Sequence, residues 1–234
     1  MKKRLKINGI IIFLAFFLIV LFPKLFFRPK ISIQSNTVLE VFGFAFILLG
    51  QLFRVSGRGF KVENSGQGHF LIKRGPYSLV RNPMYLGILL IGLGIVLTLF
   101  KWWAVLIFLV IFALRYILLI FQEEKKLKDT FPIEYENYQR QTPRLMPSVK
   151  AVYKRFIFDY LPLKLGWIEK EAGSIIAVLL ATVGIGAWRD IANYGLRVYI
   201  KTVIALLTTF ILFICLVFYL DRKTDGSVKS QINK

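Results

Sequence analysis

The sequence predicts an all-α integral membrane protein with about six transmembrane helices. Three observations lead there. Of the 234 residues, 56% are hydrophobic, and the mean hydropathy is +0.60. The apolar residues stand in blocks of span length instead of alternating with charge. Lys and Arg fall between those blocks.

A helix rises about 1.5 Å per residue, so a hydrocarbon core of roughly 30 Å takes about 20 residues. Blocks of that kind occupy residues 7–27, 37–54, 84–100, 102–121, 172–189 and 200–220. The N-terminal MKKRLKINGIIIFLAFFLIVLF imitates a secretory leader. Its apolar run is long, however, and the bulky LFPKLFFRPK that follows offers no small-residue cleavage site, so an uncleaved first span is expected. Pro23 and Lys24 near its far end are tolerable as a kink and a snorkelling cation. Leu99-Phe100-Lys101-Trp102-Trp103 leaves almost no loop between the third and fourth spans, which must form an antiparallel hairpin. The fifth span is the weakest, diluted by Gly173, Gly184 and Gly186 and closed by Arg189-Asp190. Residues 122–171 are too polar to cross. Their aromatic and basic second part, 149–171, is expected at the membrane surface, and residues 221–234 as a flexible tail. The whole chain reads as one polytopic domain, 1–234.

The formal charge is +19. Because the cations lie between apolar spans, anionic lipid headgroups explain them and nucleic acid does not. With the N-terminus inside, the inner segments hold 24 Lys and Arg and the outer ones 7. Both termini are therefore expected in the cytoplasm, with the protein in a prokaryotic plasma membrane. His69 is the only histidine and Cys215 the only cysteine, so a zinc site of the usual His/Cys type and an intrachain disulfide are excluded. No metal is expected. Oligomeric state has no signal here.

Two constellations carry chemistry. The first is RGPYSLVRNPMYLG, residues 74–87. Gly75-Pro76 marks a turn, and Asn82-Pro83 marks a helix start, with Asn as cap and Pro at the first helical position. A helix N-terminus beside Arg74 and Arg81 favours an anion, and Tyr77 and Tyr85 offer rings and hydroxyls. Gly87 and Gly94, seven apart, share a face. They either let helices approach closely or leave room for a flat ligand against the backbone. The second constellation is Arg115, Tyr116, Glu123 and Glu124. Tyr116 and Glu123 share one helix face, and Arg115 lies about 12 Å from Glu123 along the axis. An arginine near mid-span marks a polar path or a partner, and Glu40 on the second span is the candidate partner within the protein. The two carboxylates are candidates for ribose hydroxyls or an amino group, or are plain partners for Lys126 and Lys128.

GPYSLVRNPMYLG, the tight hairpin, EEKKL, a Tyr-rich stretch and TPRLMP together resemble the isoprenylcysteine carboxyl methyltransferase and phospholipid methyltransferase superfamily, over about residues 70–148. The resemblance implies a cytoplasmic segment that binds S-adenosyl-L-methionine and an acceptor delivered from the lipid phase. Arg81, Asn82, Pro83 and Tyr85 align with the family's Arg-His-Pro-x-Tyr element, Glu123 and Glu124 with its paired glutamates, and Arg144 with its Pro-Arg-Leu element. Asn82 replaces the usual histidine; it can bond a cofactor but cannot titrate near neutral pH. The implied cofactor residues are Tyr77, Arg81, Asn82, Tyr85, Gly87, Glu123 and Glu124. Arg144, from the resemblance, and Arg115, from its place near mid-span, are the candidate catalytic residues that orient an anionic acceptor. The expected activity is methyl transfer to a membrane-associated acceptor, either a carboxylate such as a prenylcysteine or a phospholipid amine. The alternatives are an NADPH-dependent sterol-type reductase and a non-enzymatic lipid-binding scaffold.

Overall fold

The computed structural model describes residues 17, 21–29, 33–148, 157–194 and 196–232. Among them every regular element is helical. The short α1, Pro23–Phe26, is followed by α2, Ile33–Asn64, and by the one-turn α3, Pro76–Leu79. The hairpin is α4, Pro83–Leu99, and α5, Trp102–Thr130. Helix α6, Pro132–Gln141, follows at once, and α7, Leu165–Tyr194, and α8, Leu196–Ile232, complete the bundle. Four helices, at Thr37–Asn64, Trp102–Thr130, Leu165–Ile191 and Ile200–Asp225, are long and apolar enough to cross a membrane; α4 is apolar but shorter. The expected spans from the second to the sixth thus fall on α2, α4, α5, α7 and α8. The expected first span, 7–27, lies largely outside the described residues, so the described residues do not carry the count of six.

In hydrocarbon, burial of apolar surface no longer drives helix association, and close approach and polar pairing replace it. Both operate here. Gly43, Gly50 and Gly57 of α2 recur every seven residues, as do Gly87 and Gly94 of α4, and the two series face each other antiparallel. A Cβ on Gly50 would lie 2.6 Å from the Gly87 carbonyl oxygen, and one on Gly87 equally close to the Gly50 carbonyl oxygen. Any side chain at either position would force the backbones apart. The α4–α5 hairpin closes similarly, with Gly92 receiving the Phe108 ring. Its tip is clamped by the segment around α1: Arg28 N–H donates to the Leu99 carbonyl at 3.2 Å, and Lys101 N–H to that of Phe26 at 3.0 Å.

Polar pairing locks the same end of the bundle. Arg189 of α7 is buried and donates to Glu40 of α2 at 2.6 Å, to Asp190 at 2.7 Å and to the Thr98 carbonyl of α4 at 3.1 Å. Glu40, the alternative to a substrate anion as a partner for Arg115, pairs with Arg189. Arg115 stands 13 residues beyond Trp102, roughly 20 Å along α5 from this end.

At the other end the expected flexible tail is helical through Ile232. Its start is held: Asp221 accepts the Leu165 N–H at 3.0 Å and Thr224 Oγ1 accepts that of Leu163 at 3.1 Å, capping the beginning of α7. The segment expected at the membrane surface is partly internal. Leu161 and Leu163 are fully buried against Leu52, Leu79, Val80 and Leu220, and residues 149–156 lie outside the described residues. This packed end carries the chemistry-bearing side chains.

Candidate active site

Residues 74–83 turn back against α2 before α4 begins. Gly75 has φ +58°, a left-handed conformation that L side chains resist, and the Phe60 ring fills the space a Cβ would need. The Tyr77 hydroxyl donates to the Gly57 carbonyl at 3.2 Å, and the Tyr138 hydroxyl of α6 donates to the Tyr77 carbonyl at 2.6 Å. Arg81 N–H donates to the Pro143 carbonyl at 2.8 Å, which draws the segment after α6 under the start of α4. Pro83 opens α4 as the sequence predicts. Asn82 does not cap it, because its side chain makes no capping bond.

The Asn82 amide is used elsewhere. Nδ2 donates to Glu124 Oε1 at 3.2 Å and to the Arg144 carbonyl at 3.1 Å. Glu124 is buried, and it also accepts Arg144 Nε at 3.2 and 3.1 Å on its two oxygens and pairs with Arg81 at 3.3 Å. One carboxylate thus joins α5 to residues 81–82 and to residue 144. The site beside the α4 N-terminus also suits a negative charge through the helix dipole. Glu123 points differently: Tyr85 donates its hydroxyl to Glu123 Oε1 at 2.7 Å. The Tyr85 ring packs 5.6 Å from that of Tyr116, which stacks on Phe112 at 4.6 Å.

Above this layer lies a cavity of about 500 Å³, in the range of small-molecule sites. Tyr77, Arg81, Asn82 and Glu123 line it, together with Lys61 and Ser65 of the α2 end, Phe70, Lys126 and Phe131 of the α5 end, and Tyr135 and Tyr138 of α6. Four of the nine residues singled out from the sequence therefore meet at this cavity. The other five lie outside the lining. Glu124 and Arg144 form the floor beneath it, with the Arg144 guanidinium 4.4 Å from the centre of the Phe121 ring. Tyr85 braces Glu123. Gly87 serves the α2–α4 contact rather than a ligand surface, and Arg115 sits half-buried further along α5, within an irregular turn at Ala113–Ile117.

Sequence reasoning missed Lys61, Ser65, Phe70, Lys126, Tyr135 and Tyr138. Lys126 had a signal, since it follows Glu123 by three residues and shares its helix face. Tyr135 and Tyr138 had the same spacing on α6. Nothing local marks Lys61 or Phe70, which arrive through the fold.

Electrostatically the cavity is mixed. Lys61, Lys126 and Arg81 bring positive charge and Glu123 negative. Arg81 Nε is buried with no acceptor among the described residues. Burial raises the Tyr77, Tyr135 and Tyr138 phenols above their ordinary value, with the Glu123 carboxylate adding to the effect at Tyr77. They are donors at neutral pH, not bases. Among the described residues no cluster of His, Cys, Asp and Glu is suited to a metal ion.

Comparison with protein families matches residues 37–133 to the phospholipid methyltransferase model. Comparisons with curated proteins and with solved structures give no match. The matched segment runs from α2 through the whole hairpin to the start of α6, so it contains both Asn82 and the Glu123–Glu124 pair and stops short of Arg144. The segment that builds most of the cavity wall is thus similar to the phospholipid methyltransferases, within the superfamily that includes the isoprenylcysteine carboxyl methyltransferases.

Proposed function

We propose that the protein transfers a methyl group from S-adenosyl-L-methionine to a membrane-associated acceptor, and that the cavity between α2, α5 and α6 holds the donor. The family implies a membrane methyltransferase. The observation that carries the cofactor reading is the composition of the cavity: one carboxylate, three cations and a group of aromatic rings around about 500 Å³. A zwitterionic amino acid joined to a nucleoside finds in that set a partner for its carboxylate, its ammonium or ribose, and its base. Glu123, held by Tyr85, suits the ribose hydroxyls or the ammonium group. Lys61, Lys126 and Arg81 suit the carboxylate, and an acceptor atom there would satisfy the buried Arg81 Nε. Phe70, Phe131 and Tyr135 suit the base.

The bound cofactor supplies an activated methyl group, so the protein has chiefly to align donor and acceptor. Among the described lining residues none is a histidine, and the three phenols are held protonated. That favours an acceptor that is already anionic, such as a lipid-borne carboxylate, over an amine that must first lose a proton. Arg115, on α5 below Glu123, is our choice for steering such an anion. Arg144 belongs to the floor. The charge bias favours a cytoplasmic cavity with both termini on that side.

The test is thermal stability of the detergent-solubilised protein with S-adenosyl-L-methionine, with NADPH, and with neither. A ligand that binds the folded state raises apparent stability by mass action. Stabilisation by S-adenosyl-L-methionine alone is expected. Stabilisation by NADPH alone, or by neither, overturns the proposal.

A further inference from the structure

The irregular turn at Ala113–Ile117 is a π-turn inside an otherwise α-helical α5. The Ala113 N–H, at its start, still bonds back to the carbonyls of Leu109 and Val110, four and three residues earlier, so the wider spacing begins after it. Such a turn takes up one extra residue. Regular helix advances 100° per residue, so Phe112 and Glu124, twelve apart, would sit 120° from each other. With one residue absorbed they fall within about 20°. The side chains agree. Phe112, Ile120 and Glu124 are buried and Tyr116 half-buried, a stripe at intervals of four, while Leu114, Leu118 and Phe121 beside it are exposed. Both halves of α5 touch α4: Phe108 packs on Gly92 before the turn, and Glu123 meets Tyr85 after it.

We infer that the π-turn at Ala113–Ile117 is a register device that rotates the Glu123–Glu124 pair onto the N-terminal end of α4. The apolar half of α5 is fixed in rotation by its packing on Gly92. The carboxylates are fixed by Asn82, Arg81, Arg144 and Tyr85. The number of residues between the two fits only if one is absorbed. This inference concerns the helix and does not rest on the identity of any ligand.

Register predicts an asymmetry that general damage does not. Deleting Leu114 lets the π-turn relax to α-helix and leaves the two halves in phase. Inserting one alanine between Leu118 and Leu119 rotates the carboxylates by about 100°. Combining the two restores the parental number of residues. Thermal stability in detergent without cofactor is read first, then S-adenosyl-L-methionine affinity by calorimetry. The deletion and the combined variant should stay within about 3 °C of the parent, and the insertion should fall by about 5 °C or more. Affinity should follow the same order wherever the parent binds. A parent that binds no cofactor leaves the stability series intact, so the two proposals fail separately. Equal loss from deletion and insertion, no loss from insertion, or a combined variant no better than the insertion alone overturns the inference.

Discussion

Asn82 reaches Glu124 across the hairpin, with Nδ2 3.2 Å from Oε1. An amide at this position donates without titrating, so the link holds at any pH at which the carboxylate is ionised. Glu124 is then occupied by Asn82, Arg81 and Arg144 together, and Glu123 alone of the pair lines the cavity.

The two glutamates should therefore separate on mutation. Glu124→Gln leaves two partly desolvated arginines without their carboxylate and should cost about 3 kcal/mol of stability. Glu123→Gln should leave the thermal transition nearly unchanged and weaken S-adenosyl-L-methionine binding about tenfold. Calorimetric titration beside thermal melts reads both. Equal loss of stability in the two variants would contradict the division of labour.

Arg189 is buried with Glu40 and Asp190 at the opposite end of the bundle. Arg189→Met removes the buried cation that Glu40 and Asp190 share and should cost about 3–5 kcal/mol. Adding Glu40→Gln should recover part of that loss, because one of the two buried negative charges is removed. Thermal melts of the single and double variants decide it. Cofactor affinity, measured below the transition, should not move.

Arg115→Met keeps length and apolar bulk while deleting the charge. We expect a folded variant that binds the cofactor within about twofold of the parent and transfers methyl groups about tenfold less efficiently to an anionic lipid acceptor. Steady-state kinetics with anionic and neutral acceptors separates this from a general defect, which would lower both alike.

The alkaline limb of stability should report the buried phenols. Burial, the largest cause, holds the Tyr138 proton more tightly in the folded protein than in the unfolded chain, whose tyrosines ionise near 10. Stability is thus complete below about pH 10 and declines as pH rises above it. Tyr138→Phe loses the bond to the Tyr77 carbonyl, about 1 kcal/mol at neutral pH, and should show a shallower decline. Melting temperatures between pH 8 and 11 give both quantities.

Much of this architecture was legible in the apolar blocks, because span length and hairpin tightness are local properties. Asn82-Pro83 announced the start of α4, and the Glu123–Glu124 pair announced the acidic end of α5. What the sequence could not show is which partner each charge takes. Glu40 finds Arg189 at a separation of 149 residues, whereas a local reading had offered it to Arg115. Glu124 and Arg144 looked like independent ligand groups and turned out to satisfy each other. The end of α8 looked like a tail because it is polar, yet its Asp221 and Thr224 supply the caps that the start of α7 lacks. The π-turn was invisible for a simpler reason: periodicity was read at a constant 100° per residue, and this helix does not keep it.

The glycine seam between α2 and α4 brings these two backbones into direct contact at Gly50 and Gly87, with only short or branched side chains such as Thr98 and Ile91 packed beside it. That side of the cavity works as a fixed post, and any widening to admit a donor or release a product has to come from the α5–α6 side, where the contacts are long polar side chains and aromatic rings. Ligand-dependent changes in amide exchange should then concentrate at residues 123–144 and leave the facing stretches around Gly50 and Gly87 silent.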